Sequence, residues 1–248
     1  MTMAQVEVNI QLAETIYWQP ETECNFEPEN TVDVWRIYIP LYKDQTAHFL
    51  NLLQPDEIVR ANRYVQEKDR IRFIISRAAL REIVSRYINQ PAKGIIFGSG
   101  PNKKPFIVGA ALRYNVSHSA NWVLIAISKT DVGVDTETID ASFKFESILE
   151  DYFSPAEISF INGNPKNFFL LWTRKEALTK ATAQGLDENL KHIPSLDGMH
   201  ITNTNILKTD KNWLVKSFKT DAENQGSIVC EKIIKKLCFF EIKLSKNV

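Results

Sequence analysis

The chain has 248 residues, in which 30 Lys plus Arg balance 30 Asp plus Glu, and 44% of the residues are hydrophobic. This length and composition are typical of a globular protein with one large domain or two small ones. Zero net charge argues against wholesale binding to nucleic acid, which depends on a basic surface. No apolar run is long enough to cross a membrane, and three cysteines without a CxxC pair indicate neither a disulfide framework nor a structural zinc site. The sequence therefore predicts a soluble, cytoplasmic protein in a reducing compartment.

The first 90 residues contain an acidic segment, one predicted strand and a long helical stretch. Residues 1–30 are polar and acidic, and we expect them to form a loosely held arm. Residues 32–39 partly alternate between apolar and polar, which predicts a strand. Between Pro55 and Tyr87, apolar residues recur every four positions, as on one face of a helix. The opposite face is strongly basic, so it is either a solvated surface or an anion-binding site.

Short apolar runs between residues 95 and 135 predict strands of a mostly antiparallel sheet. Helices are expected next at 145–152, 155–161 and 165–183. The last of these has Asn164 as its cap, Pro165 at its first position and Gly185 at its exit. Residues 197–245 again predict strands. Because helices and strands occur in both halves, the chain is expected to form an α+β fold of two lobes.

Four side chains in the second half suggest chemistry. Asp135 and Glu137 lie two positions apart on a predicted strand, so they project from the same face. Adjacent carboxylates repel each other unless a cation, a shared proton or water compensates, and two solvated acids at a hairpin end are the simplest interpretation. Glu176 and Lys180 form one stripe with Trp172 on the helix at 165–183. If that stripe faces the strand, three carboxylates converge into an all-oxygen site suited to Mg²⁺ or Mn²⁺. Lys180 would either neutralise phosphoryl oxygens there or form a salt bridge along the helix.

His118 lies at the polar end of a predicted strand, with the hydroxyls of Ser117 and Ser119 on either side. Its role is either structural or the binding of a phosphate. The glycines around residue 99 match neither a Walker loop nor a dinucleotide fingerprint, because their spacing and helix context differ. The lysines that follow, Lys103 and Lys104, could still contact a phosphate or a nucleotide ring.

Four segments occur in an order and spacing that together are specific. They are residues 115–119 (NVSHS), 133–137 (GVDTE), 152–154 (YFS) and 172–180 (WTRKEALTK), with Gly185-Leu186 following the last. In these segments the chain resembles the 4′-phosphopantetheinyl transferases, in particular the large, two-lobed type that activates surfactin synthetase. The resemblance covers about residues 50–190.

The resemblance implies two similar lobes related by a pseudo-twofold axis, each a small, mostly antiparallel sheet packed with helices. The N-terminal lobe would span residues 1–127, including the arm 1–30, and the C-terminal lobe residues 128–248. The active site would lie in the cleft between them. The implied reaction is Mg²⁺-dependent transfer of the 4′-phosphopantetheine moiety of coenzyme A to a serine of an apo acyl, peptidyl or aryl carrier protein. Adenosine 3′,5′-bisphosphate would be released, and the enzyme would act as a monomer.

The resemblance also assigns roles to particular residues. Asp135, Glu137 and Glu176 would be the metal ligands, and Glu176 would accept the serine proton directly or through a metal-bound water. Lys180 would contact the pyrophosphate. The remaining contacts to coenzyme A would come from Arg60, Arg72, Lys104, Ser117 and His118. The sequence departs from the family pattern at Glu57, where some relatives have lysine, and at Lys103, where glycine is frequent.

Two other functions are compatible with parts of the sequence. A metal-dependent nuclease or phosphohydrolase could also use an Asp and a Glu on a strand with a nearby lysine. Restriction-type nucleases, however, place that lysine two residues after the Glu, where this chain has Ile139. Alternatively, the protein could be a catalytically silent module that binds carrier proteins.

Overall fold

The computed structural model describes residues 5–13, 15–185 and 188–244, with the side chains of Pro101 and Glu188 left aside. The strands are β1 (Gln5–Leu12), β2 (Gln19–Pro20), β3 (Thr31–Tyr38), β4 (Phe97–Ser99), β5 (Pro105–Ile107), β6 (Arg113–Ser119), β7 (Trp122–Ser128), β8 (Val132–Thr138), β9 (Gly198–Asn203), β10 (Trp213–Lys219), β11 (Asn224–Glu231) and β12 (Lys236–Glu241). The helices are α1 (Thr46–Leu50), α2 (Pro55–Ala61), α3 (Glu67–Ile88), α4 (Leu149–Tyr152), α5 (Pro155–Ile161), α6 (Pro165–Thr182) and α7 (Thr204–Leu207). The predicted α+β class is confirmed.

Two five-stranded sheets carry most of the core. The N-terminal sheet has the strand order β2-β12-β3-β7-β6, and the C-terminal sheet has the order β8-β11-β10-β1-β9. Most neighbouring strands are antiparallel, whereas β1 runs parallel to β10 and β12 runs parallel to both β2 and β3. Strands β4 and β5 form a separate two-stranded ribbon. The two sheets are therefore mostly antiparallel, as predicted, with parallel pairs where the terminal strands join.

The first strand contradicts the expectation of a loosely held arm. Strand β1 lies between β9 and β10 in the C-terminal sheet, and Val6, Val8 and Ile10 are buried there. The segment folds this way because its apolar residues alternate with polar ones, so one face can join the core. Residues 1–4 and 14 of the expected arm lie outside the described part of the chain. The lobe boundary at 127/128 stays a prediction, and each sheet takes one strand from the opposite end of the chain.

The same order of elements occurs twice. In the first half β3, α3, β6 and β7 follow one another, and the strands pair in the order β6-β7-β3. In the second half β8, α6, β10 and β11 follow one another, and the strands pair in the order β10-β11-β8. A strand, a long helix and an antiparallel hairpin thus form the common unit of both halves.

The two halves also resemble each other in a buried ion pair between a short helix, α2 or α5, and the long helix of the same half. Each begins with proline and a capping box, whose glutamate is Glu57 in α2 and Glu157 in α5. Glu57 pairs with Arg81 of α3 at 2.8 Å, and Glu157 pairs with Lys175 of α6 at 3.0 Å. All four side chains are buried, so each pair ties a short helix to the long helix of its own half.

The expected helical stretch from Pro55 to Tyr87 is two helices, because α2 ends at Ala61 and α3 begins only at Glu67. Its basic face is also not uniformly solvated. Arg81 is buried and donates hydrogen bonds to the carbonyl oxygens of Ala92 and Ile95. This part of the basic face therefore stabilises the fold and is closed to a ligand.

The helix predicted at 165–183 is confirmed as α6. Its cap is Asn164, whose side chain accepts a hydrogen bond from the Lys166 amide at 3.0 Å. Ala183, with a left-handed φ of 58°, ends the helix instead of Gly185. Leu186 lies outside the described residues. The other differences are small: α4 is shorter than the predicted helix at 145–152, and the C-terminal strands are interrupted by α7.

Strand β8 and helix α6 are in direct backbone contact at Gly133. A Cβ atom built at this residue would lie 2.1 Å from the carbonyl oxygen of Ala177 and 2.5 Å from the amide nitrogen of Ala181. Because side chains alternate along a strand, Asp135 and Glu137 leave β8 on the same side as this contact. Gly133 therefore lets the helix approach the acids closely.

We expect Gly133→Ala to destabilise the protein by about 1–3 kcal/mol, because the added methyl group forces α6 away from β8. Urea unfolding followed by circular dichroism measures this difference. Gly94→Ala is the matched control, since nothing lies within 4 Å of its Cβ position, and its stability should change by less than about 0.5 kcal/mol. Equal stability of the two variants would contradict the close contact.

Candidate active site

Asp135 is the most buried acid of the site, with 2% of its surface exposed. Its Oδ1 atom accepts hydrogen bonds from Ser117 Oγ at 2.7 Å and from Lys180 Nζ at 2.7 Å. Its Oδ2 atom is buried and has no hydrogen-bond partner among the described residues. One oxygen of the carboxylate is thus held in place, and the other is available to a ligand.

Side chains of β6 hold β8 at the junction of the two sheets, where each strand is an edge. Asn115 Oδ1 accepts a hydrogen bond from the Val134 amide at 2.9 Å. Ser119 Oγ accepts one from the Thr138 amide at 3.0 Å and donates one to Glu137 Oε2 at 2.9 Å. Sequence analysis did not assign roles to Asn115 and Ser119. The sequence feature that could have indicated their role is the alternation of residues 115, 117 and 119 in NVSHS, which places these polar side chains on one face of β6.

Burial and the repulsion between carboxylates raise the pKa values of Glu137 and Glu176. Burial and the negative charge of Asp135 raise the pKa of Glu137 to about 7, although a hydrogen bond from Ser119 opposes the shift. Burial and the charge of Asp135 also raise the pKa of Glu176 to about 7, and the charge of Lys180 opposes this. The three carboxylates therefore act on one another electrostatically, and Lys180 is the cation among them.

The chemistry of these donors fits a divalent cation. The set consists of oxygen atoms only, as Mg²⁺ and Mn²⁺ prefer, and it includes the unpartnered Oδ2 atom of Asp135. In the described part of the chain, however, no three His, Cys, Asp or Glu side chains are already arranged to hold a metal ion. Metal binding would therefore require side-chain adjustment, and the three ligand assignments stay predictions.

A cavity of about 380 Å³, here called the basic cavity, lies between helices α2 and α3 and strand β6. Its lining includes the predicted coenzyme A residues Arg60, Arg72 and His118. Arg60 lies over the ring of Phe73 at 5.0 Å, and Arg72 pairs with Asp69 at 2.7 Å. The structure thus brings His118 together with two arginines that precede it by more than 40 positions in the sequence.

His118 lines this cavity, and its side chain is exposed to solvent. Partial desolvation by the surrounding protein lowers its pKa below 6.5, and the charges of Arg72 and Lys180 add to the effect. The imidazole is therefore mainly neutral at pH 7, so it can donate one hydrogen bond and accept another.

Lys104 lies outside the basic cavity. It lines a smaller cavity of about 160 Å³ together with Glu176 and Lys180. Its Nζ atom donates hydrogen bonds to Asp131 Oδ1 at 2.9 Å and to the carbonyl oxygen of Ala181 at the end of α6. The ammonium group is therefore already paired within the protein, and its predicted contact with the nucleotide stays a prediction.

An aromatic groove of about 620 Å³ lies on the other side of Glu137. Its apolar lining includes Phe143, Phe168, Phe169 and Trp172. Sequence analysis assigned Trp172 to the stripe of Glu176 but did not recognise this groove. Strand β6 connects the two cavities, because His118 lines the basic cavity and Ser119 lines the aromatic groove.

Comparison with known proteins identifies the family of the chain. Residues 40–130 match a family model described as the N-terminal domain of 4′-phosphopantetheinyl transferases, and residues 131–233 match the 4′-phosphopantetheinyl transferase superfamily. A Nostoc protein, 4′-phosphopantetheinyl transferase HetI, is 31% identical over 179 residues, which cover 68% of this chain and 76% of the relative. The chain belongs to the 4′-phosphopantetheinyl transferase superfamily. The resemblance inferred from the sequence and the predicted enzyme class are thereby confirmed.

Two further relatives of the superfamily match smaller parts. The gsp protein of Aneurinibacillus migulanus is 35% identical over 130 residues, or 50% of this chain and 53% of the relative. The Sfp protein of Bacillus subtilis is 26% identical over 162 residues, or 62% of this chain and 71% of the relative. Both are named 4′-phosphopantetheinyl transferases. Among the described helices, none combines the length and apolar character needed to span a bilayer.

We expect Arg72→Gln to raise the pKa of His118 towards 6.5, because the variant removes a nearby positive charge. A pH titration of the His118 ring protons by NMR measures the shift. Because the pKa of His118 is lowered in the folded protein, the unfolded state binds more protons around pH 6 than the folded state does. Acidification through this range therefore lowers the free energy of unfolding. The Arg72→Gln variant should lose less of it.

Arg113→Gln is the control for this titration, because Arg113 is exposed on the same strand but does not contribute to the shift of His118. An unchanged His118 titration in the Arg72→Gln variant would show that Arg72 does not act on the imidazole.

Proposed function

We propose that the protein transfers the 4′-phosphopantetheine moiety of coenzyme A to a serine hydroxyl of an apo carrier protein, and releases adenosine 3′,5′-bisphosphate. This proposal rests on the surroundings of the buried acid Asp135. Ser117 and Lys180 hold its carboxylate by hydrogen bonds. Glu137, Glu176 and the basic cavity are its neighbours. Acids that would hold a divalent ion thus lie near cations that would bind a nucleotide. Membership of the transferase superfamily supports the same reaction and argues against the nuclease alternative.

The reaction makes three demands on the site. A neutral serine must lose a proton while it attacks a phosphorus atom that is surrounded by negative oxygens. Asp135, Glu137 and Glu176 would hold Mg²⁺ or Mn²⁺, which would neutralise charge on those oxygens when bound. Glu176 would accept the serine proton, directly or through a water molecule. Lys180 would stabilise the charge that grows on the pyrophosphate bridge as it breaks.

The same arrangement would orient the two substrates. Arg60, Arg72 and His118 would anchor the nucleotide end of coenzyme A in the basic cavity, and Ser117 would contact its phosphates from the rim. An acyl, peptidyl or aryl carrier protein would approach from the aromatic groove, where Phe143 is 45% exposed and offers an apolar contact. Holding both reactants in register lowers the entropic cost of the transfer. Since one chain supplies both sides of the cleft, we propose that the monomer is active.

The most direct test uses Glu176→Gln, which keeps the size of the side chain and removes its charge. We expect a loss of at least about 100-fold in the rate at which coenzyme A loads an apo carrier protein, measured by mass spectrometry with Mg²⁺ present. Chelation of the metal should stop the wild-type reaction, and added Mg²⁺ should restore it. Glu150→Gln, an exposed change on α4, should leave loading unchanged.

Several apo carriers should be tried, because the carrier is identified by this experiment. Loading by Glu176→Gln at nearly the wild-type rate would refute the assigned base. Binding of a carrier with no loading at all would favour the silent binding module.

Lys180→Ala should slow the chemical step by about 100-fold, because the developing charge loses a hydrogen-bond donor. Single-turnover kinetics measure this step, and calorimetry measures the affinity for coenzyme A, which should change much less. Circular dichroism checks that α6 remains folded. A variant that loses only affinity for coenzyme A would show that Lys180 binds the substrate without assisting the transfer.

A further inference from the structure

Strand β9 is an open edge of the C-terminal sheet. It pairs with β1 on one side, and in the described part of the chain no strand pairs with its other side. Outside that pairing, residues 199–202 make no backbone–backbone hydrogen bond with a described residue. The strand also contains neither proline nor a Lys, Arg, Asp or Glu side chain, which are residues that protect an edge from pairing with another chain. Its outer main-chain groups are therefore available to an added strand.

A groove of about 530 Å³, here called the edge groove, runs beside this strand. Its lining includes the consecutive residues 199–202 of β9. Because side chains alternate between the two faces of a strand, a groove that touches consecutive residues lies at the edge and not over one face. Residues 191–196, here called the wall segment, and the start of α5 form the opposite side. The volume is within the range of ligand-binding pockets.

A buried network holds the wall segment in place. Lys175 of α6 is fully buried and donates a hydrogen bond to the Ile193 carbonyl oxygen at 2.6 Å. Arg174 donates one to the Ser195 carbonyl oxygen at 2.7 Å, and the Ser195 hydroxyl donates one to Glu157 of α5. The wall segment is thus anchored to both α5 and α6. A groove whose wall is already fixed loses little conformational entropy when it binds a partner.

The chemistry of the edge groove favours an apolar segment that contains an acidic residue. Met199 and Ile201 are 52% and 54% exposed and lie on the same face of β9. The acid in the lining, Glu157, is already compensated by the buried lysine of α6 at 3.0 Å. Lys191, in contrast, donates a hydrogen bond to the Glu150 carbonyl oxygen at 2.7 Å but has no carboxylate partner among the described residues. The uncompensated charge of the groove is therefore positive.

We propose that the edge groove binds an extended segment of a partner protein, which adds to the C-terminal sheet as a strand next to β9. Main-chain hydrogen bonds to β9 would provide affinity, as in other complexes formed by strand addition. Apolar side chains at alternate positions of the segment would contact Met199 and Ile201, and an acidic residue would pair with Lys191. These contacts use none of the residues assigned to the transfer reaction, so the groove would recruit a partner independently of the active site.

The test uses synthetic peptides of about six residues, the length of a typical strand, in which valine and threonine alternate. One peptide has aspartate at its amino end, a second has aspartate at its carboxyl end, and two others have lysine at these positions. We expect one aspartate peptide to bind with a Kd below about 1 mM and to shift the NMR amide signals of β9. The corresponding lysine peptide should bind about 3- to 5-fold more weakly, and this difference should disappear in Lys191→Ala.

Methylation of the peptide amides tests strand addition on the wild-type protein. Successive amides of a strand point to opposite edges, and only one edge of the peptide can pair with β9. Methylation of one alternate set of amides should therefore abolish binding, whereas methylation of the other set should leave it nearly unchanged. Equal effects of the two sets would overturn the proposed pairing.

Met199→Asp should weaken binding of the aspartate peptide by at least about 10-fold, because it removes an apolar contact and adds a repelling charge. Ile233→Asp is the matched control, since Ile233 is also an exposed apolar residue, at 61%, and lines none of the cavities described above. Circular dichroism checks that both variants are folded.

Binding of none of the peptides would overturn the inference, as would binding that Met199→Asp leaves unchanged. A wild-type dimer in sedimentation that Met199→Asp dissociates, together with no peptide binding, would instead assign the edge to a second copy of the chain. Carrier loading is measured separately. A protein that binds the aspartate peptide as expected but loads no carrier would therefore refute the proposed function alone.

Discussion

The hydrogen bonds that Ser117 and Lys180 donate to one oxygen of Asp135 join three parts of the molecule. Ser117 belongs to an edge strand of the N-terminal sheet, Asp135 to an edge strand of the C-terminal sheet, and Lys180 to the long helix α6. A displacement of α6 would leave the buried carboxylate without its cation, which is costly, and a displacement of β6 would remove the hydrogen bond from Ser117. The junction between the sheets and the centre of the site are therefore one structure, and the close contact at Gly133 keeps the helix within reach of it.

The repeated unit of the fold carries acids in only one of its two copies. Strand β3 pairs with β7 and strand β8 pairs with β11, and both pairs are antiparallel. Tyr38 is the last paired residue of β3, and Thr138 is the last paired residue of β8. Counting back from these residues, Trp35 occupies the position equivalent to Asp135, and Ile37 that equivalent to Glu137. Both apolar side chains are fully buried, and Trp35 stacks on Phe240 of the terminal strand β12 at 4.8 Å. The first copy thus uses these positions for its core, so one chain has a single set of acids.

Local sequence signals were sufficient for the elements that carry the acids. Asn164 and Pro165 marked the start of α6, and the spacing of Glu176 and Lys180 placed both on one stripe. The strand of Asp135 and Glu137 was likewise predicted, because side-chain alternation along a strand is a property of the backbone. The sequence did not predict that these side chains converge, because it did not show whether the stripe of α6 faces β8. The convergence required the contact of α6 with β8, which depends on a glycine that no periodicity singles out.

The errors arose where tertiary contacts decide the role of a charged or polar residue. The residues of β1 alternate correctly for a strand, but the acids that follow them made the whole segment look solvated. Arg81 lies on the basic side of α3, yet its partner Glu57 comes from another helix, so its burial was not visible in the helical pattern. The ion pair of Lys104 was likewise not visible in the sequence, because its partner Asp131 is 27 residues away. In each case a partner distant in the sequence supplies the compensating charge or the apolar neighbours.

These pairings also explain how a protein without net charge can concentrate positive potential in the basic cavity. Near the acids the lysines are compensated, since Lys180 pairs with Asp135, and Lys104 and Lys211 share Asp131. In the basic cavity, by contrast, Arg60 and Lys103 have no acidic partner in the described part of the chain. A donor with several phosphates would therefore gain most of its electrostatic attraction in the basic cavity, where Arg60 and Lys103 could bind it without breaking an ion pair. In the proposed reaction Lys180 would have to exchange Asp135 for the substrate, so its contribution would be best realised when charge develops during the transfer.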